Sequence, residues 1–232
     1  MKHPILSTLL IFFLHFAGSN LSAQNRFNIG VDFGIINSQF DGDKLFGFNK
    51  YGLTGGLQVH YSISNTSELR FDLGYMNIGS NYANETRPNV ITPADYTLLS
   101  INMQAASSFI GITQKFRPTP SGYRTFGVTA GLRIARAFTF DTQIHNVGNI
   151  PFEFDRQNIS STTYGPDIKF EWYLTPKITA QASVYFSINN MVLNEENFVS
   201  VLRPYFFGYS ASYLLSKPSI FKMRKKKKRR RR

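Results

Sequence analysis

The chain has 232 residues, no cysteine and a formal net charge of +12, from 26 basic and 14 acidic side chains. The missing cysteine excludes a disulfide scaffold and a lipidated N-terminus. Ten basic residues stand between Lys222 and Arg232 and one more is Lys2, leaving 15 basic against 14 acidic in between; so neutral a body argues against a folded nucleic-acid-binding domain.

The first predicted element is a secretory signal. Lys2 and His3 precede an apolar run from Ile5 to Ala17, and the small-residue stretch "GSNLSAQ" follows. This pattern predicts cleavage after Ala23 and a signal peptide over 1–23, the run being short for a retained spanning helix. A single domain over 24–216 and a tail over 217–232 remain, about 209 residues together. Its 22 Phe, 12 Tyr and 17 Gly, with only 17% charged residues and no second long apolar run, point to β-structure.

Alternation with period two then marks eight strands. The first, 27–35, sets Phe27, Ile29, Val31, Phe33 and Ile35 against Asn28, Gly30, Asp32 and Gly34. In 51–63, Leu53, Leu57, Val59 and Tyr61 oppose Gln58 and His60, and in 69–79, Leu69, Phe71, Leu73 and Tyr75 oppose Arg70, Asp72 and Gly74. The fourth, 97–115, is irregular. Ile101, Met103 and Ala105 begin on one parity and Ile110 and Ile112 finish on the other, which predicts a bulge near Ser107–Ser108. In 125–136, Phe126, Val128, Leu132 and Ile134 oppose Gly127, Gly131 and Arg133. In 164–174, Tyr164, Ile168, Phe170 and Trp172 oppose Asp167, Lys169 and Glu171. The last two, 178–188 and 205–215, carry Ile178, Val184 and Phe186, then Tyr205, Phe207, Tyr209 and Tyr213, on their apolar faces.

The connections alternate long and short, from "NSQFDGDKLFGFN" and "SNTS" to "TPK" and "NNMVLNEENF". That rhythm predicts an all-β, eight-stranded antiparallel up-and-down transmembrane barrel of the outer membrane, with both termini periplasmic. The opposing faces decide between lipid and water outside. Asp32, Arg70, Asp72, Arg133, Asp167, Lys169 and Glu171 nearly neutralise one another in a narrow lumen, whereas a soluble barrel would turn its apolar faces inward. Tyr51, Tyr61, Tyr75, Phe138, Trp172, Tyr209 and Tyr213 are the candidate aromatic girdles.

The stretch "FDGDKLFGFNKYGLTGGLQVHYSIS", preceded by "NIGVDFG" and followed by "ELRFDLGYMNIGS", resembles the PorT-like outer-membrane β-barrel family of Bacteroidota. The pattern is carried by Gly42, Asp43, Leu45, Gly47, Lys50, Gly52, Gly55 and Gly56. The resemblance implies an eight-stranded barrel and little chemistry; the founding member is tied to type IX secretion and gliding.

Reactive constellations are sparse. His60 and His145 lie on different elements, His145 in the predicted loop "DTQIHNVGNIPFEFDRQNISS" with Asp141, Glu153 and Asp155 nearby in sequence. Asp41 and Asp43 read as turn residues because the later ligands of a calcium loop are missing. Asp32, Arg70, Asp72, Arg133, Lys169 and Glu171 form the candidate lumen network, expected to plug the barrel with salt bridges and not to line a pore. No enzyme activity and no cofactor are expected. The expected role is that of a structural or accessory subunit of an envelope complex for protein secretion or outer-membrane protein assembly; a ligand-binding or adhesin-like barrel using its long loops is the alternative. The tail residues Lys222, Arg224, Lys225, Lys226, Lys227, Lys228, Arg229, Arg230, Arg231 and Arg232 would then dock onto a partner protein or the membrane surface in the periplasm, away from nucleic acid.

Overall fold

The computed structural model describes residues 26–41, 48–81, 96–118, 124–146, 159–193 and 201–215, with backbone alone for 96–99, 117–118, 124 and 143–146. The predicted signal peptide, Asp43 and the basic tail lie outside the described residues. Eight strands follow one another: β1 (Phe27–Asp41), β2 (Lys50–Ser62), β3 (Ser67–Asn81), β4 (Tyr96–Pro118), β5 (Arg124–Asn146), β6 (Thr162–Tyr173), β7 (Ile178–Phe186) and β8 (Arg203–Leu214). Each pairs antiparallel with its neighbour in sequence, and β8 returns to β1, so the sheet closes into the predicted up-and-down barrel without a free edge.

Following the hydrogen bonds around the wall measures the stagger. The row from Thr162 passes Arg136, Ala106, Tyr75, Gly55, Phe33, Ala211 and Ala180 and returns to β6 at Trp172, ten residues further along. In an eight-stranded barrel such a stagger goes with a strand tilt of about 40° and an interior just wide enough for side chains. So narrow a wall needs glycine where strands approach most closely. Gly111 and Gly131 face each other across β4 and β5, and a Cβ on Gly131 would strike the Ile110 carbonyl oxygen and the Gly111 Cα.

The three connections at one end are short, and those at the other are long, as the sequence predicts. Two of the turns share one device. The Ser64 hydroxyl accepts from the backbone N–H of Thr66 and Ser67 at 3.1 and 3.0 Å, and the Thr175 hydroxyl accepts from Lys177 and Ile178 at 3.2 and 2.9 Å. Both described chain ends, Arg26 and Leu215, lie at this turn end of the barrel.

The outer surface carries a broad apolar belt, with Phe33 65%, Leu57 54%, Ile112 57% and Tyr209 60% exposed. So large a contiguous apolar surface around a closed wall is the surface of a membrane-spanning barrel, in which lipid is the outer solvent. The candidate girdle residues all face outward or lie at the rim: Tyr61 lies tilted against Phe27 at 4.9 Å, Trp172 against Phe126 at 6.0 Å and Phe138 against Tyr75 at 6.2 Å.

Toward the loop end the strands outrun this belt and the sidedness reverses. Asn37, Asn77, Asn102 and Gln104 now occupy the outward parity, while Ile36, Phe40, Met76, Ile78, Ile101 and Met103 turn inward and are fully buried. This corrects the bulge predicted at Ser107–Ser108. The β3–β4 ladder runs without a shift from Ser67↔Gln114 to Asn81↔Ser100, and Ile101, Met103, Ala105, Ser107 and Phe109 all face the interior. The parity of the apolar residues changes because the outer solvent changes from lipid to water, not because the strand slips. The register shifts lie elsewhere in β4–β5: between Gln104 and Ala105, where Phe138 is the extra residue of β5, and between Leu98 and Ser100. The shift at Phe138 leaves that ring outside and brings Phe140 onto the core, edge-to-face with Phe40 at 6.2 Å.

The long loops contribute to the same core. Ile159 and Val192 form an antiparallel bridge, and the Met191 N–H donates to the Leu202 carbonyl at 3.0 Å. Asn190 Oδ1 accepts from the N–H groups of Val192 and Leu202 at 3.1 and 2.8 Å, seating Met191 and Leu202, fully buried, in the loop-end core.

Candidate functional site

The turn half of the lumen holds the predicted charges, and two strands supply most of them. On β3 the inward residues Glu68, Arg70 and Asp72 alternate in sign, and on β6 so do Asp167, Lys169 and Glu171. Since β3 and β6 run in opposite directions, the cation of each reaches an anion of the other. Arg70 Nη1 donates to Glu171 Oε1 at 2.5 Å, and Lys169 Nζ donates to Asp72 Oδ2. Arg70 Nε also donates to both Asp72 oxygens, at 2.8 and 3.0 Å, and its Nη2 donates to Gln181 Oε1 at 3.1 Å.

Neutral groups complete the ring. Glu171 accepts further bonds from the Thr129 hydroxyl at 2.8 Å and from the Tyr173 hydroxyl, and Gln181 Nε2 donates to Ser212 at 3.1 Å. Arg133 forms a neighbouring cluster: Nε donates to Asp167 Oδ2 at 2.7 Å and Nη1 to Ser107 at 3.0 Å. The Arg133 guanidinium lies 5.8 Å from each of the Phe109 and Phe206 rings, and Lys169 Nζ lies 4.1 Å from the Phe109 ring. Phe109 and Phe206 thus meet the charges where the apolar core begins.

Five of the six candidate lumen residues, Arg70, Asp72, Arg133, Lys169 and Glu171, are thereby buried and ion-paired. Asp32 shares their lumen face on β1 but is only half-buried. Sequence reasoning missed a second ion-paired set nearer the turns. His60 Nδ1 lies 3.3 Å from Glu68 Oε2, Lys115 Nζ 2.5 Å from Glu68 Oε1, and Lys115 sits over the Tyr173 ring at 5.0 Å. The signal was present: Glu68 and Lys115 share the lumen parity of their strands, and only the strand limits kept Glu68 out of the network.

His145 moves from its predicted loop into the end of β5, where its backbone pairs with Thr97, and Asp41 closes β1 opposite Arg203 instead of standing in a turn. Glu153 and Asp155 lie outside the described residues. Among the described residues no three His, Asp or Glu side chains converge on a metal-sized site. A small groove of about 170 Å³ opens where β5 parts from β6, lined by Phe138, Phe140, Ile159 and Ser160 among others. The chemistry on offer is therefore charge pairing: Glu68, Asp72, Asp167 and Glu171 are each held by a cation, and each of those cations is tied to more than one strand.

No protein-family model matches the chain, and no curated relative matches it in sequence. Solved structures share its architecture. Ail of Yersinia pestis, in complex with the heparin analogue sucrose octasulfate, is 12% identical with a TM-score of 0.40, over 82% of this chain and 97% of that one. Neisserial surface protein A is 14% identical with a TM-score of 0.39, over 81% and 96%. The outer membrane protein OprG of Pseudomonas aeruginosa is 12% identical with a TM-score of 0.36, over 81% and 95%. The barrel assignment rests on the closed ladder itself.

Proposed function

We propose that the protein is a non-enzymatic, PorT-like barrel of the outer membrane, with both termini periplasmic, acting as a structural or accessory subunit of an envelope complex for protein secretion or outer-membrane protein assembly. The observation that carries this reading is the filled lumen: salt bridges occupy the turn half and an apolar core with Met191 and Leu202 occupies the loop half. A wall packed in this way offers no path for solute, so its work lies in holding position in the membrane and presenting its ends. The described chain ends with Leu215 at the turn end, and the basic tail follows it in sequence, where a periplasmic partner would meet it.

Affinity purification in mild detergent tests the reading. Stoichiometric protein partners should co-purify with the full chain, and fewer with a chain lacking 222–232. Planar-bilayer recordings of the purified barrel should show no single-channel steps. A barrel that conducts strongly and purifies alone would overturn the accessory role.

A further inference from the structure

Above the apolar belt the wall from β3 to β5 turns polar side chains outward. Asn77 stands opposite Gln104 and Gln104 opposite Thr139; one step nearer the loops, Asn102 stands opposite Asp141. The carboxamide oxygens of Asn77 and Asn102 are covered and have no hydrogen-bond partner. A covered polar atom is unfavourable until something supplies its bond, and a carboxamide can both donate and accept. Below them on the outward face of β5, Arg136 is exposed and enters no ion pair among the described residues.

An apolar slot adjoins this face. Phe138 and Thr139 also line the groove of about 170 Å³ where β5 parts from β6, and Phe140 and Ile159 continue it onto the loop-end core. The Phe138 ring, 62% exposed and 6.2 Å from Tyr75, joins the groove to the top of the belt. From Arg136 to Asp141 the polar wall rises about 10 Å, allowing for the bulged Phe138 and a strand tilt of about 40°. The headgroup layer of an ordinary phospholipid leaflet is about 5–7 Å thick, so the wall suits a taller headgroup.

We propose that this face of β3–β5 and the groove beside it seat one phosphorylated glycolipid of the outer leaflet, an inference resting on the outer-membrane reading above with the loop end outside. The groove takes the end of an acyl chain, Arg136 takes a phosphate, and Asn77, Asn102 and Gln104 take sugar hydroxyls. The groove opens at the belt that lipid covers, so its occupant comes from the membrane. The single cation sits at the foot of the wall, where an amphiphile carries its phosphate, and the neutral carboxamides stand higher, where sugars extend. An ordinary phospholipid would satisfy Arg136 and leave the carboxamides above it unbonded.

The full chain, folded in detergent micelles, is measured by native mass spectrometry with diphosphoryl lipid A and with phosphatidylglycerol as the competing anionic lipid. One lipid A should stay bound, with about a tenfold preference over phosphatidylglycerol. Arg136→Gln should lose about tenfold toward diphosphoryl lipid A and little toward the dephosphorylated form, and Arg136→Lys should keep most of the affinity. Asn77→Ala with Gln104→Ala should weaken both forms alike, by about two- to tenfold for each carboxamide removed. These side chains project from the outer surface, so each variant keeps the fast gel band of the folded barrel. Equal binding of the two lipids, or variants that bind lipid A as the parent does, overturns the seat; the folded band and insertion into phospholipid vesicles then leave the barrel reading intact. A chain that inserts into no vesicle removes the outer-membrane reading and the seat with it. A lipid-free dimer that grows with concentration and is lost in Arg136→Gln assigns this face to a second copy and also overturns the seat.

Discussion

Arg70 makes four hydrogen bonds inside a lumen that excludes water from its side chain, two of them to Asp72 on its own strand and one each to β6 and β7. Removing one member of a buried ion network leaves the others charged without a partner, at about 3–5 kcal/mol, whereas removing charges together is far less damaging. Arg70→Met should therefore lower stability by about that amount, read from urea unfolding in lipid vesicles. Adding Asp72→Asn and Glu171→Gln should recover most of the loss. An unchanged midpoint for Arg70→Met alone would mean that the network is solvated and contributes little. Much of this site is legible in the sequence, because inward residues of both signs at period two are unusual on a barrel face. Which cation meets which anion is not, because that depends on how β3 and β6 are offset across the lumen.

The strand scale explains why β4 misleads a reader of sequence. Apolar residues on both parities suggest a slipped strand if one solvent is assumed along its whole length. Ile101 and Ile112 in fact face opposite sides, one buried in the core and the other 57% exposed on the belt. Deleting methyl groups from a packed interior costs more than trimming a surface that lipid can refill. Ile101→Ala should cost about 2–5 kcal/mol in equilibrium unfolding, and Ile112→Ala about 1 kcal/mol or less. Equal costs would restore the bulge near Ser107–Ser108. Phe138 and Phe140 on β5 mislead in the same way: Phe138 is the extra residue of the register shift and its ring stays exposed, while Phe140 packs on Phe40. The faces of seven strands follow directly from alternation; their upper halves do not, since the level at which water replaces lipid is a property of the assembled barrel.

Closure is a property of the whole molecule. Eight strands with a ten-residue stagger leave no edge, and a closed ladder hydrogen-bonds every strand on both sides. The folded barrel should therefore migrate faster than the boiled protein on a denaturing gel. Gly131→Val, which drives a branched side chain into the Ile110 carbonyl, should abolish the fast band while leaving the protein expressed. A fast band retained by that variant would show that the wall is less tightly coiled than its glycines indicate.

By itself the sequence determined the number of strands, their order, the long-and-short rhythm of their connections and the apolar belt. All of these follow from period-two patterning and turn residues, which are local. Only the tertiary structure decided the pairing of Arg70 with Glu171 and of Lys169 with Asp72, the inward turn of Ile101 and Met103 above the belt, and the seating of Met191 and Leu202 in the mouth. Each of those joins residues far apart along the chain, and their distances exist only once the stagger has closed the barrel.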